Sequence, residues 1–157
     1  MRYEMRRKDR AVSRDEALAA LDKAAWGILS TVDGDGAPYG VPLSLVREGE
    51  WLYFHCAPEG HKIDNLRARP EVCVSFVGDA RFPEDNFTVA YESAVVFGRA
   101  SEVTGREEKI HGLRLICERF TPKNMSAFDG EIAAMLDRTG VWKIHLDEIS
   151  GKQRKWP

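Results

Sequence analysis

The residues best suited to chemistry lie close together in Tyr53-Phe-His-Cys-Ala-Pro-Glu-Gly-His-Lys-Ile-Asp-Asn-Leu66. Strand-forming side chains run up to His55, and a glycine-containing turn follows. His61 and Lys62 then open a segment in which Ile63 and Leu66 are one helical turn apart. A helix N-terminus presents N–H groups without intrahelical partners and the positive end of the helix dipole. With Lys62 beside it, such an end suits an anion, a phosphate above all. The same spacing also describes a polar loop leading into a solvated helix, and residue types alone do not choose between the two. A metal site is not expected. His55 and Cys56 are adjacent, so on a strand they point to opposite faces, and no fourth ligand is evident. A Cys–His nucleophilic pair meets the same objection. His111 lies among charges and reads as a surface residue, while His145 alternates with Ile144 and Leu146 and reads as facing solvent or a neighbouring loop.

Ser13-Arg-Asp-Glu16 fits a capping box, and Ala17, Leu18, Leu21 and Ala25 continue it at helical spacing, which predicts a helix over 14–24. Residues 26–32 form a strand, Asp33-Gly-Asp-Gly36 a hairpin turn, and residues 37–47 a second extended segment. Pro38 and Pro42 cannot donate to a ladder, so that segment lies partly at an edge or carries a bulge. Residues 51–56 are a third strand, and the helix opened by His61 ends near Pro70. A fourth strand covers 72–77 and a polar loop 78–86. A long strand covers 87–103, with Val89, Tyr91, Ser93, Val95 and Phe97 on one face and a bend or bulge suggested near Gly98. A helix over 107–120, a short one at 132–136 and a last strand over 139–146 complete the chain. No repeat or linker divides it. Antiparallel strands interrupted by short helices give one domain, 1–157, mainly β in an α+β arrangement.

At 157 residues the chain is long enough to bury a core without disulfide or metal. A formal net charge of −2 supplies no global field for nucleic acid, so no nucleic-acid partner is expected. Arg2, Arg6, Arg7, Lys8 and Arg10 are interrupted by Glu4 and Asp9 and read as a solvated arm. Lys152-Gln-Arg-Lys155 reads as a solvated end. No apolar run approaches the ~18 residues of a membrane span, and the N-terminus lacks a secretory pattern. Cys56, Cys73 and Cys117 form no CxxC framework. These features predict a cytoplasmic protein with no membrane partner.

Several segments occur together in a characteristic order: Met5-Arg-Arg-Lys-Asp-Arg10, Gly27-Ile-Leu-Ser-Thr31, Pro38-Tyr-Gly-Val-Pro-Leu43, the 53–66 stretch, Tyr91-Glu-Ser-Ala-Val-Val-Phe-Gly-Arg-Ala100, Glu107 with Lys109, and Ile149-Ser-Gly-Lys152. In these the chain resembles the flavin-binding proteins related to pyridoxamine 5'-phosphate oxidase, the nitroimidazole-resistance group in particular, over about residues 5–155. The resemblance implies a six-stranded antiparallel split β-barrel with short flanking helices, and a homodimer holding FMN in a groove at its interface. FAD is the other flavin it allows. The resemblance implies that Lys62, with the adjacent backbone and His61, holds the phosphate. It places Leu29, Ser30 and Thr31, with Val41 and Pro42, along the isoalloxazine and ribityl chain. It places His55 beside the flavin or its substrate pocket, as a catalytic residue, and brings Ser93 and Trp142 from the partner subunit. Lys152 lies near the site or in a plain solvated end. The chain lacks the full set of arginines that the true oxidases use for a pyridoxal phosphate, so that activity is not expected. The function implied is flavin-dependent reduction of small electrophiles such as nitro compounds, with NAD(P)H or another donor. A flavin carrier or redox sensor without turnover is the alternative. A haem-binding barrel with His55 or His61 as axial ligand is a further one.

Overall fold

The computed structural model describes residues 4–83 and 87–155. Arg2 of the basic arm and residues 84–86 of the expected loop lie outside the described residues. Ser13 caps the first helix, α1 (Arg14–Lys23), as expected. Its side-chain oxygen accepts from the Glu16 N–H at 3.2 Å, and the Glu16 carboxylate accepts from the Ser13 N–H at 2.9 Å. The exchange satisfies two donors at the chain's entry into the helix. It sets Ala17 and Leu21 into the core.

Seven strands follow: β1 (Gly27–Val32), β2 (Pro38–Leu43), β3 (Val46–Glu48), β4 (Trp51–Cys56), β5 (Glu71–Arg81), β6 (Ala90–Glu102) and β7 (Gly140–Arg154). Between them lie α2 (His61–Ala68), α3 (Arg106–Phe120) and α4 (Phe128–Met135). The strands form one antiparallel sheet in the order β2-β1-β5-β6-β7-β4-β3. The expectation of six strands is corrected to seven, because residues 37–47 are not one strand. The chain breaks at Ser44 and Leu45, and the two halves join opposite edges of the sheet. Two linking residues span only ~3.6 Å each, so the two edges must curl toward one another. Leu45 is buried in the core beneath the crossing. No ladder joins β2 to β3, and the sheet stays open there, in keeping with a split rather than a closed barrel. β2 is an edge strand, where Pro38 and Pro42 cost the ladder little.

Two strands run further than the sequence suggests. β5 continues to Arg81, so residues 78–81 are strand rather than loop. β7 continues to Arg154, with Ser93 opposite Lys152 and Glu92 opposite Gln153. The solvated-end reading of this tail is therefore corrected for residues 152–154. On the other side of β7, Ala11 bridges to Lys152 and the Val12 N–H donates to the Gly151 carbonyl at 3.2 Å. The irregularity expected near Gly98 is present, but the extra residue is Asp147 on β7. Phe97 faces Glu148, whereas Gly98 faces Leu146.

Strand alternation divides the apolar residues into two cores. Leu29, Leu52, Phe54, Val74, Val96 and Ile144 fill the inside of the curl with α1 and with Ile63 and Leu66 of α2. Tyr53 and Val141 point outward and pack beneath Leu113 and Ile116 of α3 and Phe128 of α4. The outer face of β1, β5 and β6 is left uncovered by α3 and α4. There Ile28 is 42% and Val77 59% exposed. No helix among the described residues is long and apolar enough to cross a membrane.

Candidate functional site

β4 delivers the chain to α2 through four residues ending at Gly60, whose φ of 128° is a conformation that side-chain-bearing residues rarely adopt. The Gly60 carbonyl accepts from the N–H groups of Ile63 (2.8 Å) and Asp64 (3.1 Å), which starts the helix. No side chain caps this end. The first amides of α2 therefore face outward with the half-buried Lys62 beside them. The His61 ring stands edge-on to Tyr39 of β2, with 4.8 Å between centroids. One helical turn on, the Asn65 side-chain amide donates to the Thr31 hydroxyl at 3.0 Å.

His55 lies on the outer face of β4 near Lys62. Desolvation by its surroundings, and second the charge of Lys62, hold its pKa below the ordinary 6.5. The imidazole is thus the resting form at neutral pH. As pH falls below 6.5, the unfolded chain takes up this proton before the folded one does. His55 therefore weakens folding on the acid side and is neutral to it at higher pH. An NMR titration is expected to place its midpoint below 6.5, and Lys62→Ala to raise it only part of the way, because desolvation is the larger cause. A midpoint at or above 6.5 would contradict this environment. Burial raises the pKa of the Cys56 thiol, so it rests as a thiol rather than a nucleophilic thiolate. Among the described residues no group of three or more His, Cys, Asp or Glu is placed to hold a metal ion.

The structure brings His55, His61 and Lys62 to one end of the sheet. It divides the other sequence-derived candidates by strand alternation. Ser30 and Pro42 lie on the outer face. Leu29 and Val41 face each other across the β1–β2 ladder and pack into the inner core. Thr31, 2% exposed, is bound to Asn65. Trp142, 3% exposed, sits in the inner core of its own chain, so its indole offers no surface to a second subunit. Alternation along β7 sets Trp142 inward with Ile144 and Leu146, and the bulge at Asp147, which reverses the alternation, lies beyond it. Ser93 lies on the outer face of β6, opposite Lys152, half-buried in a cleft of about 440 Å³. Met5, Val95, Phe97 and Ile149 give this cleft an apolar lining, and the arm at residues 4–6 forms one wall. Sequence reasoning noted Val95 and Phe97 as one face of a strand. It had no signal that the arm folds back beside them.

These residues suit a flavin phosphate in kind. Lys62 and the outward amides of α2 are cationic or donor groups, and the adjoining edge strand β2 leaves a row of backbone groups outside the ladder. The uncovered outer face supplies apolar surface, as cofactor sites do.

The family model described as Pyridoxamine 5'-phosphate oxidase matches residues 13–153. Among solved structures, a putative 5-nitroimidazole antibiotic resistance protein from Bacteroides thetaiotaomicron is 25% identical. The match covers 90% of this chain and 85% of that one, with a TM-score of 0.75. An FAD-binding protein from Mesorhizobium loti is also 25% identical, over 93% of this chain and 98% of its own, with a TM-score of 0.68. The flavocytochrome Anf3 from Azotobacter vinelandii shares the fold, with a TM-score of 0.82 at 22% identity, over 99% of this chain and 74% of its own. None of the curated proteins matches the chain.

Proposed function

Because the chain belongs to the pyridoxamine 5'-phosphate oxidase family, we propose that it is a flavoprotein with oxidoreductase-type chemistry, holding FMN by its phosphate at the start of α2. The observation that carries this reading is the convergence of uncapped helix amides, Lys62 and the His61–Tyr39 contact at the edge strand β2. Lys62 neutralises the phosphate, and the first amides of α2 hydrogen-bond to it. Ser30 and Pro42 on the outer face border the ring system. Leu29, Thr31 and Val41 support that border from within the sheet. When bound, the flavin supplies the redox chemistry, and the chain supplies binding, orientation and electrostatics. FAD fits the same phosphate contact, with its adenylate half outside it. The FAD-binding relative makes it the first alternative to test.

The uncovered outer face, with Ile28 and Val77 exposed, is the surface a second copy of the chain would cover. In such a homodimer Ser93 and Lys152, paired on that face, come to the partner's flavin. The preferred activity is reduction of small electrophiles such as nitro compounds, with NAD(P)H as donor. The Bacteroides thetaiotaomicron relative, a putative 5-nitroimidazole antibiotic resistance protein, supports that choice. His55, neutral at pH 7, offers the substrate one hydrogen-bond donor or acceptor rather than a stored proton.

Turnover and assembly test the reading together. Flavin absorbance should sediment with the dimer, and NADH or NADPH should be oxidised only when a nitroimidazole is added. Flavin bound without any donor oxidation would favour a carrier or sensor. Flavin on a monomer would remove the interface site.

A further inference from the structure

Asn65 and Thr31 are buried polar residues, 3% and 2% exposed, and they are bonded to each other. A buried polar side chain is costly unless paired, and asparagine is a poor helix former. Their arrangement closes a ring of contacts. Thr31 and Tyr39 face each other across the β1–β2 ladder. The Thr31 hydroxyl accepts from the Asn65 amide at 3.0 Å and donates to the Tyr39 carbonyl at 3.4 Å. Tyr39 meets His61, the first residue of α2, with 4.8 Å between ring centroids. His61 and Asn65 are four apart and share a face of the helix, so α2 is held to the hairpin at two successive turns. Ile63 and Leu66 already bury α2 in the inner core, but apolar burial is non-directional and leaves the helix free to turn or slide slightly. A hydrogen bond between two buried groups fixes its rotation and height.

Resting on the flavin reading above, we infer that Thr31 and Asn65 are positioning residues. They form a latch that sets the first amides of α2 and Lys62 at the phosphate, without touching the cofactor. Thr31 is thereby reassigned from a ribityl contact to a support for the phosphate site.

The test compares FMN with riboflavin, which lacks the phosphate, by quenching of flavin fluorescence. In Thr31→Val, FMN affinity is expected to fall about fivefold, the scale of one hydrogen bond, with riboflavin affinity unchanged. Thr31→Ser keeps the hydroxyl and is expected to restore FMN binding. The double variant Thr31→Val with Asn65→Leu replaces both partners by apolar groups. It is expected to regain the wild-type melting temperature without regaining FMN affinity. Equal losses for FMN and riboflavin, or a double variant that regains both stability and affinity, would overturn the latch. So would a Thr31→Val protein that binds FMN like wild type. A wild-type protein that binds neither flavin would overturn the flavin reading itself.

Discussion

Gly98→Val removes a large part of the chain's folding stability at 25 °C. At the β6–β7 bulge the two backbones approach so closely that a Cβ on residue 98 would overlap the His145 carbonyl oxygen and lie 2.9 Å from Ile144 Cγ2. Neither neighbour can yield easily. His145 and Ile144 are paired on both sides, with β4 and with β6, and Ile144 is fully buried. Pushing the strands apart would break the longest ladder in the sheet. The expected loss is above about 4 kcal/mol, a large part of the ~5–15 kcal/mol that holds a domain together. Gly130→Ala is the control. Residue 130 lies inside α4, exposed, and a Cβ there would meet nothing within 4 Å, so replacing this helical glycine should stabilise by roughly 0.5–1 kcal/mol. Urea unfolding followed by circular dichroism reads both. A Gly98→Val protein that unfolds near the wild-type midpoint would mean that the two strands do not approach as described.

Lys62→Ala lowers FMN affinity about 10- to 100-fold, the range for losing one charge-assisted contact to a phosphate. Riboflavin should bind both proteins alike, because it has no phosphate for Lys62 to meet. Stability should change little: Lys62 is only half-buried, and the apolar anchors of α2 are Ile63 and Leu66. This separates Lys62→Ala from Gly98→Val, which acts on folding, and from Thr31→Val, whose smaller effect comes through the position of α2. Full FMN affinity in Lys62→Ala would move the phosphate elsewhere.

The residues at the start of α2 are legible in the sequence because their signals are local. Gly60 marks the turn, Lys62 follows it, and Ile63 and Leu66 mark the helix. The capping box at Ser13 is legible for the same reason. The break at Ser44 and Leu45 is not, because it answers a global demand: the chain must cross between two edges of a curled sheet, and extended residues lie on both sides of the crossing. The end of β7 is hidden by its charges. Lys152 and Arg154 look like a solvated tail until the alternating Gly151 and Gln153 are seen to belong to a paired strand. Face assignment fails for a related reason. Alternation in β1 separates Leu29 and Thr31 from Ser30, but does not say which set faces the core. Thr31 reads as a polar site residue until its partner Asn65, 34 positions away, is placed against it.

The central claim, that the chain holds a flavin by its phosphate, is tested most directly by the visible absorption spectrum of the purified protein after loading with FMN and desalting. Bands of oxidised flavin that survive desalting, and that are not retained when riboflavin is used instead, are the result expected. A colourless protein after FMN loading would leave the fold standing and contradict the proposed function.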